Sequence, residues 1–187
     1  DFSSGYGGRM LGGLTSNLRY HYTGIDPNTK TYNGLVTLGE LMTGLGLGSG
    51  YEMHHMPSEQ FTPEPGYYDA AFSSPPYFNL ETYTDEDTQC MNSCSNLDQW
   101  FEQYVTPTIS MLHTALANDG LYAVNIADYK DGKEEFKIVD RWKQVSEDIG
   151  FTYVKQLDML LNVRPGVGNG KLENSYKAEG IYIFKKS

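Results

Sequence analysis

Apolar runs typical of strands alternate with segments of helical periodicity along most of this chain. The apolar runs cover residues 22–26, 51–56, 67–73, 121–127, 151–161 and 180–184. Apolar residues recur at helical spacing over residues 11–18, 32–43, 97–118 and 136–149. Strands that alternate with helices in this way predict an α/β domain with a doubly wound sheet.

Length and composition fit one domain over residues 1–187. The chain has a mass of 21.0 kDa and ordinary apolar content, which is enough to bury a core of its own. No apolar stretch approaches the roughly 20 residues that cross a bilayer, and no signal-peptide pattern is visible. We therefore expect a cytoplasmic protein without a membrane partner.

The tetrapeptide Ser74-Pro75-Pro76-Tyr77 follows the third apolar run and is the strongest candidate for a catalytic motif. Two consecutive prolines lack two backbone donors and fix two φ angles, so the chain leaves its strand in a rigid, extended turn. A serine hydroxyl before the prolines and an aromatic ring after them would project toward a cleft above the sheet. The alternative is an ordinary proline-rich turn.

A glycine-rich turn at residues 1–9 suggests a nucleotide-type cofactor site. Asp26 follows about twenty residues later, at the end of another apolar run, where an acid commonly holds a ribose diol. The dinucleotide fingerprint G-x-G-x-x-G is broken, because Gly5 and Gly7 are followed by Met10 in the place of the third glycine. A nicotinamide dinucleotide is therefore not indicated.

Taken together, these motifs resemble the S-adenosylmethionine-dependent methyltransferases that modify exocyclic amino groups and carry an (Asp/Asn/Ser)-Pro-Pro-aromatic tetrapeptide. Residues 1–7 look like the glycine-rich motif of that family, Asp26 like its ribose-binding acid, and residues 74–77 like its catalytic motif. Phe2 and Ser3 depart from the family pattern, which has proline and phenylalanine there. The resemblance covers nearly the whole chain, in the family's order.

The resemblance implies a Rossmann-like class I methyltransferase sheet, mostly parallel, whose last strand runs antiparallel between its neighbours and forms a hairpin with the strand before it. In the resembled fold an apolar strand immediately precedes the residue that matches Asp1. We therefore expect the first strand to be truncated, with a weakened affinity for the cofactor; the alternative is a stub of strand made by Asp1 and Phe2.

The resemblance also implies the residues that hold S-adenosylmethionine. Asp1 would lie near the methionine portion, Gly5 and Gly7 would allow close approach of the backbone, and Asp26 would accept hydrogen bonds from the ribose hydroxyls. No metal is implied.

The segment after the second predicted strand offers two candidates for the adenine amino group. The family often uses a polar or acidic residue there, which makes Glu59 and Ser58 competing candidates; the alternative is a solvated loop. His54 and His55 are adjacent in the predicted strand, so their side chains face opposite ways and cannot jointly hold one metal ion.

The catalytic motif suits an exocyclic amino nitrogen, whose lone pair is delocalised into the ring. The Ser74 hydroxyl and the Pro75 carbonyl would accept hydrogen bonds from the amino protons, with Pro76 making the turn rigid. Tyr77 would stack on the base, which must leave the helix if the substrate is a duplex. The resemblance implies N4 of cytosine in DNA rather than N6 of adenine, because the adenine enzymes of the family more often have Asp or Asn in the place of Ser74. An RNA base, a protein amide and a non-catalytic methyltransferase-like subunit stay open as alternatives.

The distribution of charge along the chain affects where it could bind nucleic acid. The formal net charge is -10, and the acidic excess lies before residue 128. Nucleic acid, which is negatively charged, would therefore contact the C-terminal part of the chain more easily. The basic cluster of that part also fits a solvated helix face. The cluster comprises Lys130, Lys133, Lys137, Arg141 and Lys143. The roughly seventy residues between the glycine-rich and catalytic motifs, and the roughly one hundred that follow, leave no room for a recognition domain, which suggests a separate recognition domain or subunit. Residues 78–98 and 162–171 are predicted to form loops at the rim of the site.

Overall fold

The computed structural model describes residues 1–18, 20–78, 94–161 and 177–187. The helices are α1 Gly8–Leu14, α2 Thr29–Gly44, α3 Leu97–Trp100, α4 Thr106–Ala115 and α5 Val139–Ile149. The strands are β1 His21–Ile25, β2 Gly50–His54, β3 Tyr68–Ser73, β4 Leu116–Ile126, β5 Tyr129–Asp131, β6 Glu134–Phe136, β7 Phe151–Leu161 and β8 Lys177–Lys186. The helices and strands predicted from the pattern are present, with shifted boundaries, except that the helix predicted over residues 97–118 is divided into α3, a π-helical segment and α4, and β4 begins at Leu116.

The strands form a mixed arrangement. β1 pairs with β2 in parallel, and β3 pairs with β4 in parallel. β8 lies between β4 and β7 and is antiparallel to both, so β3, β4 and β7 point one way and β8 the other. The expectation of an antiparallel last strand paired with the strand before it is confirmed. The sheet as a whole is not purely parallel.

The opening residues join the β1–β2 pair to the four-stranded sheet. The Asp1 backbone nitrogen donates to the Thr23 carbonyl at 2.8 Å, and the Ile25 nitrogen donates to the Asp1 carbonyl at 2.9 Å. The Ser4 nitrogen donates to the Ile25 carbonyl at 3.0 Å. On the other side, the Ser73 hydroxyl at the end of β3 donates to Asp1 Oδ1 at 2.9 Å. The carboxyl ends of β1 and β3 therefore meet around this short segment.

The helices bury two apolar clusters against the strands. The larger one contains Trp100, Trp142 and Tyr122, all with no exposed surface, and the Tyr122 ring stacks on Phe184 with centroids 4.7 Å apart. The smaller one packs α1 and α2 on each other and on the β1–β2 pair. Burial of large aromatic rings provides most of the apolar contact in such a core.

A π-helical segment, Phe101–Val105, connects α3 to α4. Pro107 lies in the first turn of α4, and a proline cannot donate the hydrogen bond that an α-helix would direct to residue 103. The local widening of the helix accommodates that lost donor.

One hairpin was not predicted from the pattern. β5 and β6 pair in antiparallel register across a two-residue turn in which Gly132 has a φ of 59°. Each strand has only three residues, mostly polar, so neither forms an apolar run, although the Asp131-Gly132 pair is a known hairpin signal. Within the described ranges, no helix is both long and apolar enough to cross a membrane.

Candidate functional site

A cleft of about 460 Å³ opens at the carboxyl ends of β1 and β3. Its lining combines residues 2–6, 8 and 9 from the opening turn, residues 26, 27 and 31 after β1, residues 57–59 after β2, residues 74 and 76 after β3, and residue 104. Ligands of open α/β sheets bind outside the carboxyl ends of the strands, so this is the expected place for a site. The volume lies in the range of small-molecule pockets, roughly 300–1,000 Å³.

Asp26 holds the glycine-rich turn at the edge of this cleft. Its Oδ2 accepts from the Gly5 nitrogen at 2.9 Å, and its Oδ1 accepts from the Asn28 nitrogen at 3.0 Å. Burial raises the pKa of Asp26 above its ordinary value, while the two backbone donors oppose that shift. Asp26 lines the cleft, and its contact with a ribose stays a prediction.

The two glycines predicted to approach a cofactor have different surroundings. A Cβ on Gly5 would meet no atom of the chain closer than the Ser3 carbonyl oxygen at 4.0 Å, so this glycine leaves room on the cleft side. A Cβ on Gly7 would lie 2.8 Å from a Leu38 methyl group, so Gly7 permits the packing of α2. Both have left-handed φ values, 55° and 80°. Gly5 lines the cleft and Gly7 does not.

The carboxylate of Asp1 is engaged within the turn rather than presented to the cleft. It accepts from Arg9 Nε at 2.7 Å and from the Tyr22 hydroxyl at 3.0 Å through Oδ2, and from Ser73 through Oδ1. Only 3% of the Asp1 side chain is exposed, and Asp1 is not among the cleft residues. Arg9, its partner, does line the cleft. A direct contact between Asp1 and a cofactor stays a prediction.

Both candidates for the adenine contact, Ser58 and Glu59, line the cleft. The Ser58 hydroxyl is buried and lies 3.4 Å from the Thr108 hydroxyl. Burial raises the pKa of Glu59 above its ordinary value. The geometry brings both side chains to the same wall as Asp26 and does not choose between them.

The catalytic motif reaches the cleft through two of its four residues. Ser74 and Pro76 line it, and Pro75 is buried. The Tyr77 hydroxyl accepts from the Ala127 nitrogen at 2.8 Å, and its ring meets the Tyr129 ring edge-on with centroids 5.3 Å apart. Tyr77 is half-buried and is not among the residues that line the cleft, so the stacking role of this ring stays a prediction.

Several cleft residues were not predicted from the sequence. Phe2 and Tyr104 are buried at its wall, and the Tyr104 hydroxyl lies 3.2 Å from the Ser3 hydroxyl. Tyr6 and Arg9 complete the opening turn, and Arg9 is the only cation among the described lining residues. Tyr104 lies nearly a hundred residues away in the chain, and nothing in its local pattern marks it.

The adjacent histidines have local partners. His55 Nε2 lies 3.0 Å from the Pro27 carbonyl oxygen, and the His54 ring packs against Phe61 with centroids 4.6 Å apart. No cluster of three or more histidine, cysteine, aspartate or glutamate side chains that could hold a metal ion occurs in the part of the chain that the structure describes.

The C-terminal basic cluster is largely engaged with its own surroundings. Lys137 Nζ lies 3.1 Å from Glu135 Oε1, and Arg141 donates to Asp98 Oδ1 at 2.6 Å. The Lys143 ammonium lies over two tyrosine rings. Only Arg141 and Lys143 lie on α5, so the cluster as a whole is not one helix face, and its contact with nucleic acid stays a prediction. The predicted rim loops lie mostly (residues 79–93) or wholly (162–171) outside the described residues.

No protein-family model and no curated protein matches this sequence, whereas many solved structures match the fold. A S-adenosylmethionine-dependent methyltransferase from Methanosarcina mazei is 12% identical, with a TM-score of 0.60 over 98% of this chain and 89% of that one. A methyltransferase from Pyrococcus furiosus is 14% identical, with a TM-score of 0.59 over 98% and 72%. The chain has the fold of S-adenosylmethionine-dependent methyltransferases.

This fold does not fix the reaction. The [4+2]-cyclase SpnF matches equally well, with 10% identity and a TM-score of 0.63 over 98% of this chain and 73% of that one. One fold therefore carries different named activities, and the reaction must be argued from the site.

Proposed function

We propose that this chain is an S-adenosylmethionine-dependent methyltransferase that methylates an exocyclic amino group of a DNA base, N4 of cytosine in preference to N6 of adenine. The observation that carries the proposal is the meeting of Ser74 and Pro76 with Gly5 and Asp26 around one cleft, at the carboxyl ends of β1 and β3. The structural neighbours support the same cofactor.

The cleft fits S-adenosylmethionine on its own features. Asp26 offers a buried carboxylate to ribose hydroxyls, and Gly5 leaves open the space that a Cβ would fill. Ser58 and Glu59 offer acceptors for an adenine amino group. Arg9 offers the cation that suits the carboxylate of the methionine portion. When bound, S-adenosylmethionine supplies an electrophilic methyl group on a sulfonium centre.

The residues after β3 supply the groups that an amine requires. The Ser74 hydroxyl and the Pro75 carbonyl accept hydrogen bonds from the amino protons, which draws the nitrogen lone pair out of conjugation with the ring. The two prolines keep this pair of acceptors rigid, so little ordering is required when the substrate binds. The Ser73 hydroxyl, just before the Pro-Pro turn, donates a hydrogen bond to Asp1 and so links this turn to the opening residues of the chain.

The choice of a DNA base rests on the serine that opens the tetrapeptide and on the need of this chemistry for a flat, conjugated amine. RNA bases and protein amides have the same electronic character. The assay must therefore offer DNA, RNA and protein separately.

Methyl transfer from tritiated S-adenosylmethionine tests the proposal. We expect label in DNA, recovered as N4-methylcytosine after hydrolysis. Ser74→Ala should lower transfer by at least about a hundredfold, which is the typical effect of removing one such hydrogen-bonding group. It should leave the affinity for S-adenosylhomocysteine unchanged. Ser49→Ala, an exposed serine just before β2, is the matched control.

Each other outcome contradicts a defined part of the proposal. Label only in RNA or protein would assign a different substrate class. Full transfer by the Ser74→Ala variant would remove the motif from the chemistry. Absence of both transfer and cofactor binding would favour a non-catalytic subunit.

A further inference from the structure

Tyr6 is the most exposed large apolar side chain among the described residues. Its exposed fraction is 96%, compared with 72% for the next, Leu18. It nevertheless lines the cleft, at the tip of the glycine-rich turn. It makes no ring contact and no hydrogen bond with the part of the chain that the structure describes. Since no described residue packs on this ring, a flat ligand that enters the cleft would give it an apolar contact.

The backbone of Tyr6 is held on both sides. The Gly5 nitrogen donates to Asp26 Oδ2 at 2.9 Å, and the Gly7 nitrogen donates to the Ser4 carbonyl at 3.3 Å. The left-handed φ angles of the two glycines determine how the turn presents the residue between them. Only the two side-chain torsions of tyrosine stay free, so ordering its ring on a ligand has a low entropic cost.

No other aromatic residue of the cleft offers an exposed ring face. Phe2 and Tyr104 are each only 3% exposed. Tyr77, the ring expected to stack on the substrate, is held by Ala127 and Tyr129 beside the cleft. Among the aromatic residues that line the cleft, Tyr6 is therefore the one with ring surface to offer to a ligand.

We propose that Tyr6 is the aromatic residue that stacks on the flat ring bearing the acceptor amine, and so helps to select planar conjugated substrates such as nucleobases. The identity of the substrate rests on the proposed function. Ser58 and Glu59 are the candidates for the adenine of the cofactor, so Tyr6 is assigned to a second flat ring. Base stacking tolerates different ring systems, because every base has a π face.

A fluorescence titration tests this inference without relying on activity. The probe is a single-stranded oligodeoxynucleotide that carries pyrrolocytosine, whose emission falls when it stacks, added to the protein with S-adenosylhomocysteine. We expect quenching with the wild-type protein and with Tyr6→Phe. Tyr6→Ala should lose the quenching and bind the probe about tenfold to a hundredfold more weakly.

Two controls accompany the titration. Tyr20→Ala removes an exposed tyrosine at the amino end of β1, away from the cleft, and should behave as wild type. The calorimetric affinity of Tyr6→Ala for S-adenosylhomocysteine should stay within twofold of the wild-type value.

Three results would overturn the inference: no quenching by the wild-type protein, wild-type quenching and affinity in Tyr6→Ala, or a parallel loss of S-adenosylhomocysteine affinity. The last would assign Tyr6 to the cofactor instead.

Methyl transfer measured in the same experiment separates this inference from the proposed function. Probe binding that depends on Tyr6 in a protein that methylates nothing contradicts only the proposed function, whereas methylation of DNA that is indifferent to Tyr6→Ala contradicts only this inference.

Discussion

Asp26→Asn is the substitution that most directly tests how the cleft holds its ligand. The carboxylate accepts from the Gly5 nitrogen through one oxygen and from the Asn28 nitrogen through the other. An amide can satisfy only one of these donors, and its NH₂ group then faces the other N–H. The variant also loses the ionised acceptor proposed for the ribose hydroxyls.

The expected magnitude follows from these contacts. A hydrogen bond to a charged group contributes about 1.5–3 kcal/mol. Loss of one such bond to the ribose should raise the dissociation constant of S-adenosylhomocysteine about tenfold to 150-fold, since about 1.4 kcal/mol corresponds to a factor of ten. Loss of the bond to Gly5 should also lower the free energy of unfolding, but relief from burying a charge offsets part of that loss. Ligand affinity is therefore the primary readout.

Isothermal calorimetry at several pH values gives the decisive measurement. Burial raises the pKa of Asp26, so the wild-type carboxylate is ionised above that raised pKa and becomes protonated as the pH falls through it. Affinity of the wild-type protein should therefore decrease on acidification. The Asp26→Asn variant should bind weakly and lack this pH dependence.

Asp69→Asn provides the matched control, because Asp69 is exposed near the amino end of β3 and undergoes the same change of atoms. It should bind as the wild-type protein does. Wild-type affinity in Asp26→Asn, together with an unchanged thermal midpoint, would refute the assignment of this carboxylate to the ligand.

Two further substitutions test the framework of the site. Tyr77→Phe keeps the ring but removes the acceptor of the Ala127 N–H, so the free energy of unfolding in urea should fall by about 1–3 kcal/mol with an unchanged slope; an unchanged midpoint would contradict the bond. Gly24→Ala would place a Cβ 2.6 Å from Ser4 Oγ and 2.7 Å from Met53 Sδ, so both stability, by about 1–3 kcal/mol, and S-adenosylhomocysteine affinity should fall, as thermal unfolding and calorimetry would show. Wild-type values in both measurements would mean that the strand has room for the methyl group.

The pattern of the chain was most informative where one local interaction dominates. Apolar runs with buried faces located the strands, because a strand that leaves its apolar face in water does not persist. The β5–β6 hairpin was not predicted in this way, because its three-residue strands are mostly polar. A glycine turn and the backbone pairing of the two strands hold it. The antiparallel direction of the last strand and its place between its neighbours were predicted from the resemblance rather than from periodicity.

For the candidate site, local motifs also predicted some features and not others. Asp26, Gly5 and Ser74 were predicted from local motifs, and the structure places all three at one cleft. The Asp1 carboxylate, expected to lie near the cofactor, is hydrogen-bonded to Arg9 of the turn, Tyr22 of β1 and Ser73 of β3. A motif identifies a residue type at a position and does not show which neighbours will satisfy its hydrogen bonds.

By itself, the sequence determined the succession of strands and helices, the rigid Pro-Pro corner and the flexible glycine turn, because these follow from properties of the residues themselves. Only the tertiary structure decided which side chains face the cleft. Tyr77 contacts Ala127 and Tyr129, which are distant from it along the chain, whereas Tyr6 is exposed. Such contacts depend on the packing of whole elements, which no local pattern encodes.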